Sequence, residues 1–107
     1  MKVLSQAALM SLKDHIAEYG RPLEVAYFAH LIGESTVDPI LQELGKFQNA
    51  DGGFGHGLEP DFWLPASSPM ATSMAFRLLT GLPVDAAQPM IQRGMDYYEA
   101  TFQTRSQ

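Results

Sequence analysis

Between residues 56 and 63 the chain reads His56-Gly57-Leu58-Glu59-Pro60-Asp61-Phe62-Trp63. An imidazole and two carboxylates this close together suit general acid–base work, in which one group gives a proton and another takes it. His56, Glu59 and Asp61 are therefore the candidate catalytic residues. The same donors can ligate a metal ion, or they can cap helices and solvate a surface loop. No metal and no cofactor is assigned to them. Phe62 and Trp63 add aromatic surface. Such a wall holds an apolar molecule or a sugar, or steadies a cation on its ring faces, unless it packs beneath the loop. With Thr72 in the following helix, they are the candidate substrate-binding residues. Ser67, His56 and Asp61 supply the residue types of a nucleophilic triad, but no nucleophile elbow surrounds the serine.

The loop follows a turn of unusual composition, Gln48-Asn49-Ala50-Asp51-Gly52-Gly53-Phe54-Gly55. A Gln at a helix end can donate and accept at once. It can bond a free carbonyl of its own helix and a free amide of a neighbouring one. Asp51 ahead of two glycines suits an Asx-turn, with glycine admitting positive φ. Phe54 can fold back as an apolar plug. Gln48, Asp51, Gly52, Gly53 and Phe54 thus form a structural motif, a staple between helix ends.

The elements that must hold this turn are helical. Apolar residues at 3–4 residue spacing predict five helices and no strand. The first runs from about Leu4 to Tyr19, with Leu4, Ala8, Leu12, Ile16 and Tyr19 on its buried face; Gly20 and Pro22 end it. The second covers about Leu23 to Leu31, with Leu23, Ala26, Tyr27, His30 and Leu31 on a stripe, and Gly33 closes it. His30 and His15 read as satisfied core histidines. The third follows Ser35-Thr36-Val37-Asp38, which is similar to a capping box; its stripe is Val37, Ile40, Leu41, Leu44 and Phe47. Ser68-Pro69 opens the fourth, an N-cap followed by Pro at the first helical position, with Ala71, Met74, Ala75, Leu78 and Leu79 inward. The fifth starts near Asp85 or Gln88-Pro89 and runs to about Phe102, with Met90, Ile91, Met95, Tyr98 and Phe102 inward and a frayed tail after it. The methionines read as core filling. Residues 49 to 67 make one long loop, and long loops in compact domains are usually functional.

Composition bounds the rest. One hundred and seven residues make a single all-α domain over 1–107. The net charge of −5 argues against nucleic acid and anionic membrane as partners. The absence of cysteine excludes disulfides and thiolate sites. Ser5, Gln6 and Ser11 interrupt the N-terminal apolar run, so neither a signal peptide nor a membrane span is expected. The expected protein is soluble and cytoplasmic.

The run from Asp38 to Leu79 resembles the repeat motif of the terpenoid cyclase and protein prenyltransferase superfamily, on Leu44, Phe47, Gln48, Asp51, Gly52, Gly53, Phe54 and Gly55, then Pro65, Thr72, Ala75 and Leu78. It is similar in particular to bacterial proteins of this class carrying a Gln-Asn-x-Asp-Gly-Gly-Phe-Gly-His-x-Leu-Glu-Pro-Asp run. The resemblance implies helical hairpin repeats forming an α/α toroid, here a partial one, with the turn joining an outer helix to an inner one. It places His56, Glu59, Asp61, Trp63 and Ser67 to Thr72 near a central cavity. The superfamily's reactions do not carry over. The chain has no Asp-x-Asp-Asp acid, no Asp-Asp-x-x-Asp magnesium motif, and no Asp or Cys zinc ligand in Ser68-Pro69-Met70-Ala71-Thr72-Ser73. A ring needs six hairpins, and two hairpins plus one helix leave an open end, so a homodimer or other self-association is expected. The functional expectation is binding of a hydrophobic or polyprenyl molecule beside the 56–63 loop. The alternatives are a carbohydrate-active toroid and a non-catalytic binding or assembly module.

Overall fold

The computed structural model describes residues 5–59 and 64–106. Five helices form: α1 (Gln6–Tyr19), α2 (Pro22–Leu31), α3 (Asp38–Gly45), α4 (Pro69–Thr80) and α5 (Pro89–Ser106). Among the described residues there is no strand, only two isolated antiparallel bridges at Gln48–Phe54 and Phe54–Ser68. The chain divides into two compact units, the first ending at Glu43 and the second beginning at Leu44.

In the first unit α1 packs on α2. Ser5 caps α1 through its side chain, which accepts from the Ala8 amide, and Pro22 sits in the first turn of α2, where its missing N–H costs nothing. The face of α1 turned inward differs from the one its spacing suggests. Ala8, Leu12 and Tyr19 are exposed, Tyr19 at 71%, and Leu9, Lys13, Ile16 and Gly20 are the half-buried positions. Lys13 lies among them because its ammonium reaches Glu34 at 2.8 Å, so its stem can cover apolar surface while the charge stays wet. His15 is exposed and rests on the Tyr19 ring, rather than lying in a core. His30 is half-buried with Nδ1 against the Ser35 carbonyl. The fully covered side chains of this unit are Leu23 and Ile40.

The second unit holds most of the core: Leu44, Phe54, Leu58, Ala71, Thr72, Ala75, Leu79 and Leu82 are buried. Ser68 caps α4 by accepting from the Ala71 amide, with Pro69 behind it. The inner face of α4 is Ala71, Thr72, Ala75 and Leu79. Met74 and Leu78 stand at its edge, half-buried. α4 packs on α5, and Gly94 makes the approach possible: a β-carbon there would sit 2.6 Å from the Phe76 ring. The inner face of α5 keeps Met90, Ile91 and Tyr98 of its expected stripe, all half-buried, and centres on Gly94. Gly94 is buried and Tyr97 and Tyr98 are half-buried, whereas Met95 and Phe102 are about half exposed. No Gly or Pro follows Phe102, and α5 continues to Ser106. Met10, Met70 and Met95 are all exposed, so these methionines are surface rather than core filling.

Candidate functional site

The turn closes around Phe54, which has no exposed surface. Its amide donates to the Thr72 hydroxyl at 2.9 Å, and its carbonyl accepts from the Ser68 amide at 3.1 Å. On either side, Asn49 N–H bonds the Gly53 carbonyl and Gly55 N–H bonds the Phe47 carbonyl. Asp51 makes the Asx-turn, its Oδ1 accepting from the Gly53 amide at 2.9 Å. Gly52 has φ +88, and a β-carbon would fall 2.0 Å from the Arg93 carbonyl, so neither the conformation nor the space admits a side chain. Gln48 staples differently from expectation. Its Nε2 donates to the Gly52 carbonyl at 2.9 Å and to the Met90 carbonyl in α5 at 3.0 Å. Both partners are acceptors, and neither belongs to its own helix. Arg93 completes the tie, donating to the Asn49 carbonyl at 2.9 Å and facing Gln48 Oε1.

A polar chain runs along the outside of the turn. Ser67 Oγ donates to Asp51 Oδ1 at 2.6 Å and accepts from Asn49 Nδ2 at 2.9 Å. Asn49 Nδ2 also donates to the Pro65 carbonyl, which can only accept. That fixes the amide, turning Asn49 Oδ1 toward His56 Nε2. An amide oxygen only accepts, so the assigned tautomer carries its proton on Nε2. His56 thus orients the turn, in a left-handed conformation at φ +56, while its backbone N–H holds the Leu64 carbonyl at 3.0 Å. Ser67 reaches a carboxylate and an amide but no imidazole, so no triad assembles on it.

The candidate residues separate. His56 is exposed and bonded to Asn49, and Glu59 is half-buried and lines a cleft. Asp61, Phe62 and Trp63 lie outside the described residues. Thr72 is interior, with no exposed surface: its hydroxyl donates to the Ser68 carbonyl at 2.8 Å while accepting from Phe54. Both its hydrogen-bonding roles serve the turn, which leaves it no face for a ligand. Among the described residues no three His, Asp or Glu side chains converge as a metal site.

The cleft beside Glu59 has a volume of about 400 Å³ and is walled by Pro69, Met70, Met74 and Leu78, with Ser73 and Arg77 as its other polar groups. Met70, Ser73, Met74 and Arg77 repeat at helical spacing on α4, one stripe round from the buried Ala71–Ala75–Leu79 face. Family models, curated proteins and solved structures return no match to this chain. The site therefore rests on its own geometry. The residues missing from the sequence reading are Asn49, Arg93, Met70, Arg77 and the cleft roles of Met74 and Leu78. Only the α4 residues carried a sequence signal, a second apolar stripe ending in a cation. No helix among the described residues is long and apolar enough to cross a membrane.

Proposed function

We propose that the unit from Leu44 onward is a non-catalytic binding module that takes a small molecule with an apolar body into the cleft between Glu59 and α4. The carrying observation is the cleft itself, whose size is that of small-molecule sites and whose walls are mostly apolar with a few polar groups. Met70 and Met74 suit it to varied shapes, because the thioether side chain is flexible and polarisable. The polar residues of the turn support binding over catalysis: Asp51, Ser67, Asn49 and His56 hydrogen-bond one another. The Gln48–Phe54 staple supports placing the chain with α/α toroid proteins such as terpenoid cyclases, where a prenyl chain is the implied ligand. Titration with farnesol, followed by amide chemical shifts, tests the cleft. Shifts at Met70, Met74 and Leu78 that vanish in Met74→Asp are expected. Shifts elsewhere defeat the reading, and no shift at all removes the prenyl chain as the ligand.

A second reading concerns the first unit. Leu12 and Tyr19 are exposed on one side of α1, and a second copy of the chain packing there would give the expected homodimer. Light scattering should then show a dimer that Leu12→Ser with Tyr19→Ser converts to monomer. A monomeric parent protein at micromolar concentration rules it out.

A further inference from the structure

Two groups of opposite charge line the cleft without neutralising each other. Glu59 reaches it from the loop, and Arg77 from the last turn of α4. Among the described residues neither takes part in an ion pair. Other charged groups of this unit are engaged: Asp51 accepts two hydrogen bonds, and Arg93 holds the turn. Each class of ligand meets this pair differently. A neutral apolar molecule strips water from both charges and returns nothing. An anion satisfies Arg77 but faces the Glu59 carboxylate, and a cation meets the reverse. A zwitterion satisfies both at once.

We infer that the ligand of this cleft is a zwitterion with an apolar body: an apolar amino acid or a short apolar peptide. Its carboxylate lies on the planar fork of Arg77, which matches two carboxylate oxygens in a way an ammonium cannot. Its ammonium lies on Glu59, and its side chains rest on Met70, Met74 and Leu78. Ser73 also lines the cleft, its hydroxyl already paired with that of Tyr98. The inference rests on the cleft being a binding site and narrows what binds there.

Calorimetric titration of the full chain with L-leucyl-L-phenylalanine tests it, alongside the N-acetyl form, the C-terminal amide and farnesol. The free dipeptide should bind about tenfold more tightly than either blocked form, the low end for a charge-assisted bond at a partly exposed group. Glu59→Gln should erase its advantage over the acetylated form, and Arg77→Gln its advantage over the amide. Blocked forms that bind as well as the free dipeptide overturn the inference. Farnesol binding without dipeptide binding overturns it too, while leaving the cleft as an apolar site. Binding of neither removes the cleft reading itself.

Discussion

Replacing Thr72 by Val separates an interior role from a ligand-binding one. The two side chains have nearly the same shape, so the change removes chiefly a hydroxyl. Thr72 has no exposed surface, and its oxygen is the acceptor for the Phe54 amide at 2.9 Å. That amide becomes an unsatisfied buried donor, which costs about 1–3 kcal/mol. The Ser68 carbonyl is spared, because it still accepts from the Thr72 backbone amide at 3.0 Å. The added methyl returns about 0.8 kcal/mol. The net expectation is a loss of about 1–2 kcal/mol. With a slope near ~1 kcal/mol per molar urea for a chain this small, the unfolding midpoint falls by about 1–2 M. Thr72→Ser keeps the acceptor, so amide exchange at Phe54 should stay slow relative to Leu58 in the Ser variant and quicken in the Val variant. A Val variant whose midpoint is unchanged refutes the reasoning. So does one that keeps its stability but loses ligand, because Thr72 would then belong to a ligand surface.

Substitutions at four further positions probe the same unit and its neighbour. Gly52→Ala should cost at least about 3 kcal/mol, since strain at positive φ adds to the clash with the Arg93 carbonyl. Gly33→Ala, at φ +79 with nothing within 4 Å, should cost only about 1 kcal/mol; equal thermal midpoints for the two would contradict this. Asp51→Ala removes the acceptor for both Gly53 and Ser67 and should cost about 1–2 kcal/mol, with Asp51→Asn at less than half of that, measured by urea unfolding. Gly94→Ala sets a gain in helix propensity of about 1 kcal/mol against overpacking of about 1–3 kcal/mol on Phe76. Net destabilisation relieved by Phe76→Leu is expected, and a higher melting temperature in the single variant would show that the ring gives way.

What the sequence made legible was local. Ser68-Pro69 at the start of α4 and the Asx-turn of Asp51 onto Gly53 act through neighbours within four residues, and each does what its chemistry suggests, whereas Pro22, read as ending α1, opens α2. The number and order of helices follow from the same short-range signals. The choice of inward face on α1 and α5 does not. Leu9 and Leu12 lie only about 60° apart around α1, and apolar residues flank both, so spacing does not choose between them. Packing on α2 and the Lys13–Glu34 pair select Leu9, Lys13 and Ile16. On α5 a glycine set the face, because helix approach at Gly94 mattered more than side-chain area. Thr72 shares the α4 face that the toroid resemblance turns toward a cavity, and its partner lies 18 residues earlier. The cleft was legible only as the leftover stripe Met70–Met74–Arg77.

The staple has a consequence for how the chain acquires its structure in time. The turn is eight residues long, yet Gln48 finds its second acceptor 42 residues downstream, and Asn49's carbonyl finds its donor 44 residues downstream. During synthesis at about 5–20 residues per second, the turn leaves the ribosome seconds before Met90 and Arg93 do. Until α5 arrives, Gln48 has only the Gly52 carbonyl, and the surface of Gly52 that Arg93 will cover stays wet. Completion of the staple is therefore a late, non-local event, although the turn's own bonds are local. A loop of this span closes at an entropic cost that grows with its logarithm, and the docking of α5 is the step expected to set the refolding rate.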